Sequence, residues 1–367
     1  MKKSLIALAA LAASGFAMAQ SSVTVFGVVD EAVSYVNGKD NWNGLNSGGN
    51  ATSRIGFRGV EDLGGGLKAN FHLEAGILAD SGSGNSGYSK NTDAAGDGLA
   101  FKRRSTIGLE GAFGEVRMGR ELTAAYNATS RYDVFGQVGF GVSRLWSDAA
   151  IGAGAAAVAT TNQRVSNMVT YVSPSFSGFK ASVNYGFGEQ TASNRDGRYF
   201  GGGLTYDNGP LSLGLSAERL NRGASIVGTA NLTEADVTAW ALGGSYDLGV
   251  AKLAAAYRDS KAKFVGGDSD KTKGYYIGVS APVGAAGEVK ASYNRYENKF
   301  DGGAKLKADQ FALGYVHNLS KRTAVYGTYA YIKNKDDGAL GITLQSGVAL
   351  KDNGSQHGLQ VGVRHSF

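Results

Sequence analysis

Apolar and polar residues alternate with a period of two along most of this chain. The last segment shows it most simply. Leu359, Val361, Val363, His365 and Phe367 fall on one face, and Gly358, Gln360, Gly362, Arg364 and Ser366 on the other. Ala69, Phe71 and Leu73 oppose Lys68, Asn70 and His72 in the same way. Such alternation marks β-strands whose two faces meet different surroundings. It predicts strands at 22–36, 51–60, 66–78, 101–111, 114–121, 164–173, 178–187 and 198–207. Eight more follow at 210–220, 236–247, 250–263, 273–281, 287–299, 308–317, 322–333 and 356–367, sixteen in all.

The connections alternate between short and long. Tight turns fall at Glu61-Asp62-Leu63-Gly64-Gly65, 111–114, 173–177, 207–210, 247–249, 282–286 and 318–321. Pro174, Pro210 and Pro282 are all read as turn residues, because a proline cannot donate to a ladder. Long connections cover 37–50, 79–100, 122–163, 188–197, 221–235, 264–272, 300–307 and 334–355. Seven tight turns at one end and eight loops at the other describe an even-stranded antiparallel barrel with both termini on the turn side. A soluble sandwich would have to pack its second face, yet that face carries Arg, Lys, Glu and Gln along many strands. Putting the apolar face against lipid and the polar face against a water-filled lumen resolves the conflict, and lipid then demands closure. No short fixed repeat supports a solenoid.

Composition agrees. Glycine supplies 56 of 367 residues, and tyrosine and phenylalanine 18 and 16, which suits many short strands and aromatic girdles. There is no cysteine, which excludes disulfides, thiolate metal sites and a cysteine nucleophile. Beyond residue 20 there is no apolar run of eighteen residues, so helical membrane spans are excluded. Lys2 and Lys3, the apolar stretch Leu5 to Phe16 and Ala17-Met18-Ala19 read as a cleaved signal peptide over 1–19, with the mature barrel over 20–367 beginning at Gln20. Export without cysteine points to the envelope of a Gram-negative bacterium. Removing the two leader lysines takes the net charge from +6 to +4, too mild and too scattered for a nucleic-acid partner.

Motifs that suggest other chemistry lack their context. Gly82-Ser83-Gly84-Asn85-Ser86-Gly87 spells a dinucleotide fingerprint, but no helix pattern follows it. His72, His317, His357 and His365 form no helical zinc pair. An outer-membrane hydrolase would need an accessible nucleophile oriented by a histidine or acid pair, and no such cluster with a histidine is read from the sequence. The chain is therefore read as no enzyme, with no cofactor and no metal.

Parity assigns the charged side chains. An arginine on the lipid face costs roughly 2–4 kcal/mol at mid-membrane, so Ile55 and Phe57 outward put Arg54 and Arg58 in the lumen. Lys68, Asn70, His72 and Glu74 face inward by the same rule, and Arg164 does so if Val165 and Val169 take the lipid face. Counting back from Ile107 and Leu109 puts Arg104, rather than Arg103, inside.

Several segments together resemble a known family. Ser53-Arg54-Ile55-Gly56-Phe57-Arg58-Gly59 with Glu61-Asp62-Leu63-Gly64-Gly65-Gly66-Leu67-Lys68-Ala69 resembles the second and third strands of Gram-negative general porins. Phe101-Lys102-Arg103-Arg104-Ser105-Thr106-Ile107-Gly108-Leu109 and Gly114-Glu115-Val116-Arg117-Met118-Gly119-Arg120 are similar to the fourth and fifth. The likeness runs through Ser173-Pro174 to Val361-Gly362-Val363-Arg364-His365-Ser366-Phe367, and is strongest to the anion-selective porins of betaproteobacteria. It implies a sixteen-stranded transmembrane barrel in the outer membrane, with short periplasmic turns and long extracellular loops. It further implies a homotrimer whose third loop, here 122–163, folds into the pore, with loop 79–100 reaching over the adjacent subunit. The terminal Phe367 is similar to the signal read by the barrel assembly machinery.

The same resemblance implies an arginine ladder facing acids of the third loop. Arg54, Arg103 and Arg164 occupy the matching positions, leaving Arg103 and Arg104 as alternatives at one rung. Asp133 keeps the loop acid, while Gln137 stands where the family often has glutamate, so only Asp133 and Glu74 oppose the arginines. The expected function is passive diffusion of small hydrophilic solutes with a preference for anions. The alternative is a structural or adhesive barrel whose extracellular loops bind a partner.

Overall fold

A computed structural model describes residues 22–85, 98–146, 163–189, 191, 195–222, 225–227, 230–232, 234–303, 305–336, 338–342 and 348–367. The leader with its Ala17-Met18-Ala19 site, residues 86–97 of loop 79–100 and residues 147–162 of loop 122–163 lie outside these residues.

Sixteen strands form the wall. They are β1 Ser22–Asn37, β2 Arg54–Gly64, β3 Leu67–Leu78, β4 Arg104–Gly111, β5 Gly114–Leu122, β6 Arg164–Val172, β7 Phe179–Gly186 and β8 Tyr199–Asn208. The second half comprises β9 Leu211–Arg222, β10 Ala235–Asp247, β11 Lys252–Phe264, β12 Ser269–Val283, β13 Gly287–Lys299, β14 Lys305–Asn318, β15 Thr323–Lys335 and β16 Ser355–Ser366. Each is antiparallel to its neighbour, and β1 closes the barrel. Its first half pairs with β2, from Ser22↔Val60 to Val28↔Arg54, and its second with β16, from Val28↔Ser366 to Asn37↔His357. Phe367 extends the seam, exchanging backbone hydrogen bonds with Gly27 at 3.0 and 3.1 Å. Closure leaves no strand edge for lipid to meet.

Every predicted strand is present, within a few residues of its expected bounds. The loops add structure that alternation does not announce. Asn41–Ser47 folds back onto β1, Ser83–Asn85 pairs with the end of β3, and Ser225–Val227 with Ala230–Leu232 makes a separate hairpin. Pro282 is a correction: it lies inside β12, one residue from its end. β11 reaches only as far as Ser280, so the missing N–H of Pro282 faces no partner there, and the residue pairs solely with Glu288 of β13.

The two faces differ as the alternation requires. Val33, Val361 and Ile277 are more than half exposed on the outside, while Asn184, Asn294, Gln310 and Gln360 are buried on the inside. Among the inward residues are glycines that admit a closely packed segment. Helix α1, Ala124–Ser130, is capped by Thr123, whose hydroxyl accepts from the Tyr126 N–H at 3.2 Å. It lies against β8 and β9, where a Cβ at Gly203 or Gly214 would overlap Ala128.

Candidate functional site

Glu74 is the centre of the charged inner wall. It is the last inward-facing acid of β3, directly opposite Gly56 and Arg104 in the two flanking ladders. Arg103 precedes β4, so strand parity does not bind it, and its Nε donates to Glu74 Oε1 at 2.5 Å. Arg54, the first residue of β2, places Nε 3.9 Å from Glu74 Oε2, and His72 Nε2 lies 3.5 Å from the same oxygen. Arg164, the first residue of β6, donates from Nε to the Arg103 carbonyl at 2.9 Å. Among the described residues it makes no ion pair. Two guanidinium groups thus share one carboxylate, and a third is held on the backbone of one of them.

Arg104 belongs to a different network. Its Nη2 stands 3.7 Å from Glu121 and its Nε donates to Thr106 at 3.1 Å. Arg117 bridges Glu115 at 2.5 Å and Glu121 at 3.0 Å, and the Asn70 amide donates to Glu115 at 3.0 Å. Two arginines face two glutamates, a balanced set. Arg103 thus pairs with Glu74, and Arg104 lies with the glutamates of β5. Sequence reading passed over Glu115, Arg117 and Glu121, although they alternate with the outward Val116 and Met118.

Alternation does not carry Arg164 inward, and its bond to the Arg103 carbonyl is what links it to the cluster. The β5–β6 ladder shifts register between Gly119 and Glu121, and Asn167 takes φ +54°. This bulge places Val165 opposite Glu121, with its side chain against Gly186 on the inner surface. Val165 therefore faces inward rather than lipid, correcting the expectation from alternation. Arg58 is also inward, with its guanidinium 5.3 Å from the Phe26 ring centroid, and Lys68 opens the inward row of β3.

Asp133 is a third correction. Expected to face the arginines, it is instead buried within its own loop. Its carboxylate accepts from the backbone N–H groups of Phe135 at 3.0 Å, Gln137 at 3.1 Å and Ser143 at 3.1 Å. The Gln137 amide adds a fourth bond at 2.7 Å, so Gln137 holds the turn together. Burial pushes the Asp133 carboxyl above the usual carboxylate range, against the opposing effect of these donors.

The segment from Tyr132 to Arg144 is tied to inward-facing side chains of distant strands. Tyr276 on β12 accepts from the Val134 N–H at 2.8 Å, and Tyr296 on β13 accepts from that of Arg144 at 2.7 Å. Gln310 on β14 donates to the Phe140 and Val142 carbonyls at 3.1 and 3.2 Å, and Gln360 on β16 accepts from the Phe140 N–H at 2.9 Å. The Tyr132 ring covers Gly243, where a Cβ would overlap it. These polar inward residues are the signal that sequence reading left unused.

With this geometry in place, comparison with known proteins is decisive. A family profile described as Gram-negative porin matches residues 5–337. The chain belongs to the Gram-negative porin family. This porin is 47% identical to outer membrane porin protein 32 of Delftia acidovorans, over the full length of both chains. An outer membrane porin protein of Bordetella pertussis is 36% identical, covering 80% of this chain and 84% of that one. Among solved structures, the anion-selective porin from Comamonas acidovorans superposes with a TM-score of 0.81 at 43% identity, covering 95% of this porin and all of that chain. The barrel is accordingly a channel-forming protein of the Gram-negative outer membrane.

Proposed function

We propose that this porin is a passive diffusion channel for small hydrophilic solutes, narrowed by segment 122–163 and selective for anions through Arg54, Arg103 and Arg164. One observation carries the reading: Arg54 and Arg103 lie against Glu74 and Arg164 is held on the Arg103 carbonyl, a cluster with a surplus of two positive charges among the described residues. The Arg104–Arg117–Glu115–Glu121 set is balanced and adds no net charge. Asp133, the one carboxylate among the described residues of that segment, is turned into its own loop and does not offset the surplus. The anion-selective neighbour from Comamonas acidovorans supports the same reading.

The magnitude is sufficient. At an effective dielectric of about 40, one uncompensated charge about 6 Å away is worth roughly 1.4 kcal/mol, a tenfold preference. Salt screening lowers that figure. Arginine suits a relay of exchangeable sites, since its planar fork stays charged and pairs carboxylate or phosphate bidentately, weakly enough to release it. No bond is made or broken, so no catalysis is assigned. Reversal potentials across a planar bilayer under a salt gradient test the proposal.

The porin is further proposed to assemble as a homotrimer after cleavage of residues 1–19, with Phe367 as the assembly signal. β4 and β7 have 8 residues and β5 and β6 have 9, against 13 in each of β10 and β11. A lone strand needs about 9–11 residues to cross the hydrocarbon, so the short sector is suited to lean on neighbours rather than on lipid alone. Exposed Val25, Ile107 and Met118 supply an apolar surface there. A monomer mass in mild detergent would defeat the trimer.

A further inference from the structure

The backbone ahead of Arg54 is held by a residue that the channel reading leaves without a role. On the β2 side of β1, pairing stops at Val28↔Arg54 and resumes at Glu31↔Ser47, with the segment Asn41–Ser47. Residues 48–53 therefore cross a gap only two β1 residues long, Val29 and Asp30. The surplus chain gathers around the Asp30 side chain on the inner face. Asp30 is fully buried, and its carboxylate accepts from three successive backbone N–H groups, Gly49 at 3.2 Å, Asn50 at 2.9 Å and Ala51 at 2.6 Å. The Tyr326 hydroxyl of β15 reaches over Gly362, where an added Cβ would overlap it, and donates to the same carboxylate. Four donors thus fill the acceptor positions of an ionised carboxyl. The Asp30 backbone adds to the hold: its N–H donates to Ser53 Oγ at 3.0 Å, and its carbonyl accepts from the Gly48 N–H at 2.8 Å.

Two arginines are bonded to the segment held in this way. The Thr52 carbonyl accepts from Arg54 Nη1 at 3.0 Å, and Asn50 Oδ1 accepts from Arg364 Nη1 at 2.8 Å. Arg364 belongs to the inward row of β16 with Gln360 and Gly362. It stands opposite Asp30 in the β1–β16 ladder, while Arg54 stands opposite Val28 in the β1–β2 ladder. The two arginines therefore flank β1, two residues apart along the strand. The segment is confined on both sides as well. The Gly49 carbonyl lies against Gly139 of the Tyr132–Arg144 segment, where a Cβ would clash, and a Cβ at Gly49 would overlap the Tyr326 ring. Backbone 49–52 is wedged between wall and loop, and Asp30 supplies the hydrogen bonds that fix it there. Bonds to an ionised acceptor are about twice as strong as neutral ones.

We propose that Asp30 is a positioning residue for ion selection: by holding residues 49–52 it fixes the guanidinium groups of Arg54 and Arg364 at the solute path. The inference rests on the arginine reading of the pore given above. Asp30 touches no solute and acts through the Thr52 carbonyl and the Asn50 side chain. Its charge and its positioning role have opposite consequences. An acid acting through its charge alone would, once neutralised, raise the preference for anions. A positioning residue, once neutralised, lowers that preference, because the arginines it holds withdraw. At an effective dielectric of about 40, withdrawal of one guanidinium from about 6 to about 9 Å from the ion lowers its preference about twofold.

Reversal potentials of the purified porin in planar bilayers under a potassium chloride gradient, with thermal melts of the same preparations, test the role. Asp30→Asn should lower the chloride-over-potassium permeability ratio about two- to fourfold, for one or both arginines withdrawn. Tyr326→Phe removes one donor and no charge; it should lower the ratio by less, and it carries the test if Asp30→Asn does not assemble. Both variants should melt at lower temperature. In a background of Arg54→Gln with Arg364→Gln, Asp30→Asn should still lower the melting temperature but lower the ratio no further, a coupling that a merely structural residue would not show. A ratio that rises or stays unchanged in Asp30→Asn, or a second drop of equal size in the double-glutamine background, overturns the positioning role. Arg54→Gln alone separates this role from the pore reading. A lowered ratio there, with Asp30→Asn and Tyr326→Phe both unmoved, defeats the positioning role and leaves the arginine reading standing. An unmoved ratio in Arg54→Gln defeats both.

Discussion

Arg103 and Glu74 are joined twice. The Arg103 backbone N–H donates to the Glu74 carbonyl at 3.2 Å, and its Nε donates to the Glu74 carboxylate at 2.5 Å. The chain entering β4 is thus fixed to the end of β3 before regular pairing begins. Its carbonyl, held in place, is what Arg164 uses to orient its own guanidinium.

Glu74→Gln removes the single acid of this cluster while leaving a hydrogen-bonding side chain. Anion preference should increase, because three positive charges then stand unopposed. The lost charge-assisted bond should cost about 1.5–3 kcal/mol locally. A reversal potential unchanged from wild type would show that the cluster does not govern selectivity.

Most of the barrel was legible from alternation, because lipid outside and water inside impose opposite chemistry on successive residues. Parity failed where the ladder is irregular. Arg103 lies just outside a strand, and the bulge at Asn167 turns Val165 inward. Asp133 was misplaced for another reason. A loop carboxylate can serve a lumen or its own backbone, and only the surrounding N–H donors of Phe135, Gln137 and Ser143 show which. The partners of the loop, Tyr276, Tyr296, Gln310 and Gln360, are distant in sequence and carry no local motif.

Asp133→Ala should loosen the loop. It leaves the N–H groups of Phe135, Gln137 and Ser143 without their acceptor, at about 1–3 kcal/mol for each that stays buried. Single-channel recordings should show a larger or noisier open current. A current indistinguishable from wild type would contradict the anchoring role.

The same carboxyl gives a pH signature. Its folded pKa is raised by burial, so its contribution to stability is fully present below the unfolded pKa and is lost as pH rises through the folded one. The stability of wild type relative to Asp133→Asn should therefore increase as pH falls from neutral toward about 4. Thermal melts in detergent at both pH values measure it; a relative stability that falls on acidification would reverse the sign.

Gly243→Val should displace the Tyr132 ring that covers this position. Overpacking of this kind costs about 1–3 kcal/mol. A lower melting temperature with altered conductance is expected, whereas Gly249→Ala, in an open turn where an added Cβ meets no atom within 4 Å but φ is +80°, should leave conductance unchanged. Equal effects on conductance would remove the special role of the Tyr132 contact.

Mass analysis of the mature porin should place its first residue at Gln20, following Ala17-Met18-Ala19. A chain retaining Lys2 and Lys3 would contradict cleavage.

Reversal potential in a planar bilayer under a potassium chloride gradient tests the arginine surplus most directly. Wild type should favour chloride, by about tenfold at low salt and less as salt rises. Arg164→Glu or Arg54→Glu should move the potential toward potassium, while the same change at Arg219, exposed on the outer surface, should leave it nearly in place. A wild-type channel that favours potassium, or pore variants that leave the potential unmoved, would contradict selection by Arg54, Arg103 and Arg164.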